Sequence, residues 1–132
     1  MKIKIFALTH KKFEVPQDKM YQPLQVGREE KEDLGYLCDN TGDNISAENC
    51  YYSELTGLYW IWKNVHTYKY VGTCHYRRYL LNEQEKIFTE AEYLKLLKDY
   101  DLITTKRVVL NNSYHYGFAT NHNIHALDMT GE

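Results

Sequence analysis

The segment His75-Tyr76-Arg77-Arg78-Tyr79 places two adjacent guanidiniums, an imidazole and two phenols within five residues. Arginine presents a planar fork of donors that matches phosphate oxygens, and His75 and the tyrosine hydroxyls can add more, so these residue types suggest an anion site. The competing reading is structural. Arg28 to Glu48 holds seven acids against two bases, and Arg77 and Arg78 could pair with that stretch and stitch the fold together. A second candidate is Asn44-Ile45-Ser46 at the head of a helix, where free N–H groups and the helix dipole favour a phosphate or a sugar hydroxyl. Ordinary capping by Ser46 explains the same residues. Glu54 and Thr56 follow in that helix, where a carboxylate either hydrogen-bonds a sugar or is solvated or salt-bridged.

Other chemistry finds less support. His122 and His125, spaced i, i+3, could share a helical face with His115 as a third zinc ligand, but no cysteine joins them and only Asp128 lies near. Asp99-Tyr100-Asp101 has the Asp-x-Asp form that holds divalent cations in many sugar-nucleotide enzymes, yet it lies where a helix enters a strand, the wrong end of a sheet for a ligand. Asp39 to Asn44 does not fit calcium-loop spacing. No nucleophile elbow or phosphate loop is present. Cys74 and His75 are neighbours on a predicted strand and therefore point to opposite faces, which argues against an activated thiol.

The elements that must position these residues follow from periodicity. Residues 2–8 are apolar and β-rich and stop at Thr9-His10-Lys11-Lys12, as a buried opening strand does. From Pro16 to about Asn44, prolines, glycines and acids predict an irregular, solvated region. A helix is expected over 46–64, with Tyr51, Leu55, Leu58 and Trp62 forming one apolar face and Tyr52, Thr56, Tyr59 and Lys63 a neighbouring one. Lys69 to Cys74 reads as a second strand. Thr89-Glu90-Ala91-Glu92 is a capping box that opens a helix over 90–99. Tyr100 to Thr105 is expected as a third strand, Val108 to Leu110 as a fourth, and a further helix begins near Asn121. Alternating strands and helices with long crossovers predict an α/β layered sheet, mainly parallel.

The whole chain has 132 residues, a domain's worth, with 43% hydrophobic and 26% charged residues, which excludes disorder throughout. A net charge of −2 and a pI near 6.3 give no global attraction to nucleic acid or anionic lipid, so any phosphate site is local. No run is long and apolar enough to predict a transmembrane helix. Three unpaired-looking cysteines, Cys38, Cys50 and Cys74, point to the cytoplasm. Tyrosine is the anomaly: 13 residues, each joining an apolar body to a polar tip.

Asp43-Asn44-Ile45-Ser46, the run Tyr52 to Asn64 and the run Tyr70 to Tyr79, with Thr9-His10-Lys11 and the Tyr114-x-Tyr116 to Asp128 region in order, closely resemble the bacterial capsular and exopolysaccharide synthesis proteins of domain-of-unknown-function family 4422. The resemblance covers nearly the whole chain. Members look like sugar-nucleotide-dependent glycosyltransferases of the GT-A type, some of them galactofuranosyltransferases in O-antigen or capsule assembly. What it implies is a GT-A-like (Rossmann-like) mainly parallel sheet flanked by helices, with residues 1–132 as the N-terminal nucleotide-sugar-binding part. Members usually run longer and carry the acceptor-activating base in their second half, so an incomplete fold without its base is expected. Thr9, His10, Asn44 and Ser46 are then expected at the nucleotide, and His75, Tyr76, Arg77 and Arg78 at the diphosphate. Glu54, Thr56, Tyr59, His115 and Tyr116 would meet the sugar or acceptor.

The implied donor is a UDP-sugar and the implied acceptor a glycan or lipid-linked glycan, with no nucleic acid. The implied place is the inner face of the cytoplasmic membrane, by peripheral association. The arginine pair would take the charge-neutralising role that a metal plays elsewhere, so no cofactor is expected and transfer would be metal-independent, although Mn or Mg would also fit such chemistry. The alternative is a non-catalytic module that holds a sugar nucleotide or glycan and needs a partner chain.

Overall fold

The computed structural model describes residues 2–29 and 31–106. The expected strand at Val108 to Leu110, the helix from Asn121, and Tyr114, His115, Tyr116, His122, His125 and Asp128 lie outside the described residues.

Four parallel strands form one sheet: β1 (Ile3–Thr9), β2 (Tyr21–Gln25), β3 (Leu37–Cys38) and β4 (Tyr70–His75), in the order β3-β2-β1-β4. Parallel strands are buried on both faces, and β1 shows why its sequence reads as a nearly continuous apolar run. Phe6 and Leu8 point to one face and pack with Leu24, Val26, Trp60 and Ile61. Ile3 and Ile5 point to the other and pack with Met20, Tyr21 and Tyr93.

The first face is covered by α2 (Leu55–Asn64), the second by α3 (Glu90–Leu96). The capping box at the head of α3 is present: Thr89 Oγ1 accepts from the Glu92 amide, and the Glu92 carboxylate accepts from the Thr89 amide. Asp18 accepts from the Glu90 amide at 3.0 Å, and Glu90 accepts from the Ile3 amide at 3.3 Å, which ties α3 to the amino end of the sheet.

Four expectations are corrected. The helix over 46–64 is divided into a 3-10 turn (Ser46–Glu48), α1 (Asn49–Tyr52) and α2. The break lies at Ser53, whose φ of 53° is left-handed, and the Asn49 side chain holds it by donating to the Ser53 carbonyl at 2.7 Å. The apolar stripe is also not the buried one. Thr56, Gly57, Trp60 and Ile61 face the sheet, while Leu55, Leu58 and Trp62 are left exposed by the described residues. The stretch from 16 to 44 contains β2 and β3, which are too short and polar to show a period. Tyr100 to Thr105 forms no strand: only Ile103 packs on the core, and Tyr100 and Leu102 are exposed.

Gly57 sets the distance between α2 and the sheet. A Cβ there would lie 2.5 Å from Val26 Cγ1 and 3.0 Å from Leu8 Cδ2. Gly57→Ala gains about 1 kcal/mol of helix propensity, but overpacking costs about 1–3 kcal/mol and the β-branched Val26 is stiff. The expected result in urea unfolding is a net loss of about 1–2 kcal/mol. A gain would show that α2 can move outward freely.

Candidate anion-binding site

Ligands of open α/β sheets bind beyond the carboxyl ends of the strands. Here β1 and β4 are adjacent and end together, with Leu8 opposite His75 and the Tyr76 amide donating to the Leu8 carbonyl at 3.1 Å. The chain then turns sharply. The Arg78 amide donates to the His75 carbonyl at 2.9 Å, and the Tyr79 hydroxyl donates to the Tyr76 carbonyl at 3.0 Å.

Tyr76 is the hub of the site. Its ring is buried, with His10 edge-on at 5.5 Å between centroids, Phe13 at 5.8 Å and His75 at 4.4 Å. Lys11 Nζ lies 5.6 Å and Arg77 Cζ 5.1 Å from its centroid, in cation–π range. An aromatic seat thus gathers cations from the ends of two strands. Arg77 and Arg78 are exposed, and neither forms an ion pair among the described residues. The expected alternative, pairing with the acidic stretch at 29–48, is not made there.

His75 is held from two sides. Its Nε2 lies 3.2 Å from Glu54 Oε1 at the head of α2, and its Nδ1 accepts from the Arg77 amide at 3.3 Å. Burial pushes its pKa down, Glu54 pulls it back up, and Arg77, Arg78 and His10 lower it further. Cys74 lies on the opposite face of β4, where burial pushes its thiol up to about 12, so it is not an activated nucleophile.

The remaining predicted residues lie elsewhere. Asp39 is fully buried and accepts four hydrogen bonds: from the Gly27 amide at 2.8 Å, the Arg28 amide at 3.1 Å, Ser46 Oγ at 2.5 Å and Thr56 Oγ1 at 2.7 Å. Ser46 and Thr56 are therefore interior residues bonded to Asp39 and do not face solvent. Ser46 does not cap its helix by side chain; its hydroxyl accepts from the Glu29 amide. Asn44 closes a local turn, donating to Gly42 and accepting from the Ser46 amide. Tyr59 donates to Asp43 at 2.8 Å. Thr9 is buried and bonded to Lys11, leaving His10 as the exposed member of that pair.

The structure therefore brings His10, Glu54, His75, Tyr76, Arg77 and Arg78 into one neighbourhood, and Asn44, Ser46, Thr56 and Tyr59 into another. Lys11 and Phe13 belong to the first and are not singled out as site residues by sequence. Their approach to Tyr76 is set by strand adjacency, which leaves no mark in spacing. A cleft of about 760 Å³ runs along the outer edge of β4 and meets the site at His75 and Arg78; Leu58 and Ile61 wall one side, Tyr21 and Tyr93 the other. Among the described residues no group of three or more His, Cys, Asp or Glu is arranged to hold a metal, and no helix is long and apolar enough to cross a membrane.

A family model described as a domain of unknown function, DUF4422, matches residues 4–132. No curated relative matches significantly. Among solved structures, one described as the apo structure of WbbM, a bifunctional glycosyltransferase, is similar with a TM-score of 0.58 and 42% identity over 61% of this chain. The matched part spans 14% of that structure's chain. The parallel sheet with a helix on each face agrees with the expected α/β, Rossmann-like architecture.

Proposed function

Because the chain belongs to the DUF4422 family, we propose that it is the nucleotide-sugar-binding part of a glycosyltransferase that builds bacterial surface polysaccharide from a UDP-sugar. The observation that carries this reading is the pair Arg77 and Arg78, exposed at the adjacent carboxyl ends of β1 and β4 and without an acidic partner among the described residues. A diphosphate there accepts charge-assisted hydrogen bonds from both guanidiniums. The similarity to a bifunctional glycosyltransferase supports a glycosyltransferase-like role. The cleft that meets Arg78 leaves room for the uncharged part of the donor, within the usual size range of ligand pockets.

In transfer, the sugar leaves a diphosphate that gains negative charge, and Arg77 and Arg78 stabilise it where it departs. Glu54, the carboxylate that meets the cluster, is bonded to His75. The acceptor in this reading is a growing capsular, exopolysaccharide or O-antigen glycan, and UDP-galactofuranose is the first donor to test.

Calorimetric titration in EDTA-containing buffer is expected to show UDP binding at least about tenfold tighter than uridine, the worth of about one net charge-assisted bond. Equal affinities would remove the diphosphate assignment. Binding that returns only with manganese would remove the metal-independent form of it.

A further inference from the structure

His75 is expected from sequence to touch the diphosphate, yet both of its ring nitrogens are already engaged. Nδ1 lies 3.3 Å from the Arg77 amide nitrogen, which can only donate, so Nδ1 carries a lone pair and no proton. The ring proton then sits on Nε2, 3.2 Å from Glu54 Oε1, which accepts it. The arrangement fits one protonation state of imidazole, the neutral Nε2–H tautomer, and it fits no other. A second proton on Nδ1 would set N–H against N–H.

The acceptor matters because of what it holds. The Arg77 amide is the second backbone donor after β4, following the Tyr76 amide that bonds Leu8. With the Arg78 amide bonded to the His75 carbonyl and the Tyr79 hydroxyl bonded to the Tyr76 carbonyl, it completes the turn from which both guanidiniums project.

We propose that His75 is a positioning residue: a neutral hydrogen-bond acceptor that fixes the turn carrying Arg77 and Arg78, with Glu54 holding it in the required tautomer. The purpose of the turn rests on the diphosphate reading above; the tautomer and the Glu54 contact do not. The groups that face the ring are Glu54 from α2, Arg77 and Arg78 from the turn and His10 from the end of β1, with the Cys74 thiol on the far side of the strand. Burial lowers the His75 pKa, as do Arg77, Arg78 and His10, against the opposing pull of Glu54.

The sign of the pH effect separates this role from that of a ligand. Because the folded-state pKa lies below the usual 6.5, the neutral acceptor is present at pH 7 and is lost as pH falls through that lowered value. A histidine ligand would gain charge in the same step and hold a diphosphate more tightly. A positioning acceptor releases the Arg77 amide, and binding weakens.

Two measurements on the full chain decide the matter. In long-range nitrogen-15 spectra of histidine-labelled protein, assigned with His75→Gln, His75 is expected as the Nε2–H tautomer at pH 7, titrating below 6.5. An Nδ1–H tautomer, or a protonated ring at pH 7, overturns the proposal. UDP titrations supply the second test. Asparagine places its carbonyl oxygen where Nδ1 stands, so His75→Asn should keep UDP affinity within about threefold while His75→Ala loses about tenfold, the worth of one net hydrogen bond to a backbone amide. The wild type should also lose affinity toward pH 5.5 beyond the protonation of UDP itself, and His75→Asn should lack that extra loss. Equal losses in His75→Asn and His75→Ala, or tighter wild-type binding in acid, make His75 a ligand and overturn the proposal. Should UDP fail to bind at all, the diphosphate reading falls and the tautomer spectrum still judges His75 and Glu54.

Discussion

Asp39→Ala is expected to cost about 3–5 kcal/mol of stability, the largest loss from any single substitution at the residues described above. The carboxyl group is wholly buried and, among the described residues, forms no ion pair; it accepts from two backbone amides and two hydroxyls. Removing it takes the acceptor from the Gly27 and Arg28 amides and the Ser46 hydroxyl and leaves Thr56 only the Ser53 carbonyl, which is the costly direction of hydrogen-bond loss. Those donors come from the segment after β2, the 3-10 turn and α2, so one side chain joins three pieces of chain.

Asparagine does not repair the site. One carboxylate oxygen accepts from the Arg28 amide and Ser46, and the other from the Gly27 amide and Thr56, so an amide NH2 on either side meets a backbone donor. Asp39→Asn should therefore recover only part of the loss, while Thr56→Val, which removes one donor and leaves the acceptor three, should cost about 1 kcal/mol. Thermal and urea unfolding measure all three. A loss below about 1 kcal/mol for Asp39→Ala would show that the network is not what holds these segments together.

The second large effect is on binding. Replacing both Arg77 and Arg78 by alanine is expected to weaken UDP by about 10²–10⁴-fold, two charge-assisted hydrogen bonds at about 1.5–3 kcal/mol each. Stability should move by less than about 0.5 kcal/mol, because both side chains are exposed and hold no ion pair among the described residues. Lysine at both positions restores charge without the planar fork and should give intermediate affinity. If the double alanine variant binds UDP as the wild type does, the nucleotide lies elsewhere. If it unfolds instead, the arginines are structural.

What could be read from the sequence was whatever local pattern or residue type decides. β1 and β4 show as apolar runs, α3 as a capping box, and the arginine pair by its composition. β2 carries Gln22, Pro23 and Gln25 within five residues, and β3 has only two, so neither offers a period to detect. The exposed stripe of α2 is the more instructive failure. Tyr51, Leu55, Leu58 and Trp62 are the more apolar set, but only the face bearing Gly57 and Thr56 is small enough to approach Val26 and to reach Asp39. Hydrophobicity names a helix as buried; side-chain size chooses the face. Glu54 shows the same limit at the site. A carboxylate at a helix head gives no hint by sequence of an imidazole twenty-one residues later, because the pairing exists only once α2 lies across β1 and β4.

The interior place of β1 also governs how the protein can be made. Synthesised before its partners, β1 finds β2 early but must wait for Tyr70 to His75 before its other edge is paired, and its Ile3 amide meets Glu90 across 87 residues. Contacts so distant in sequence slow folding and leave an apolar strand edge open meanwhile. Nascent chains halted before β4 should therefore be bound by chaperones or digested by protease, and those extended past α3 should be protected. Since the arginine turn follows β4 directly, the anion site forms late and all at once with the sheet.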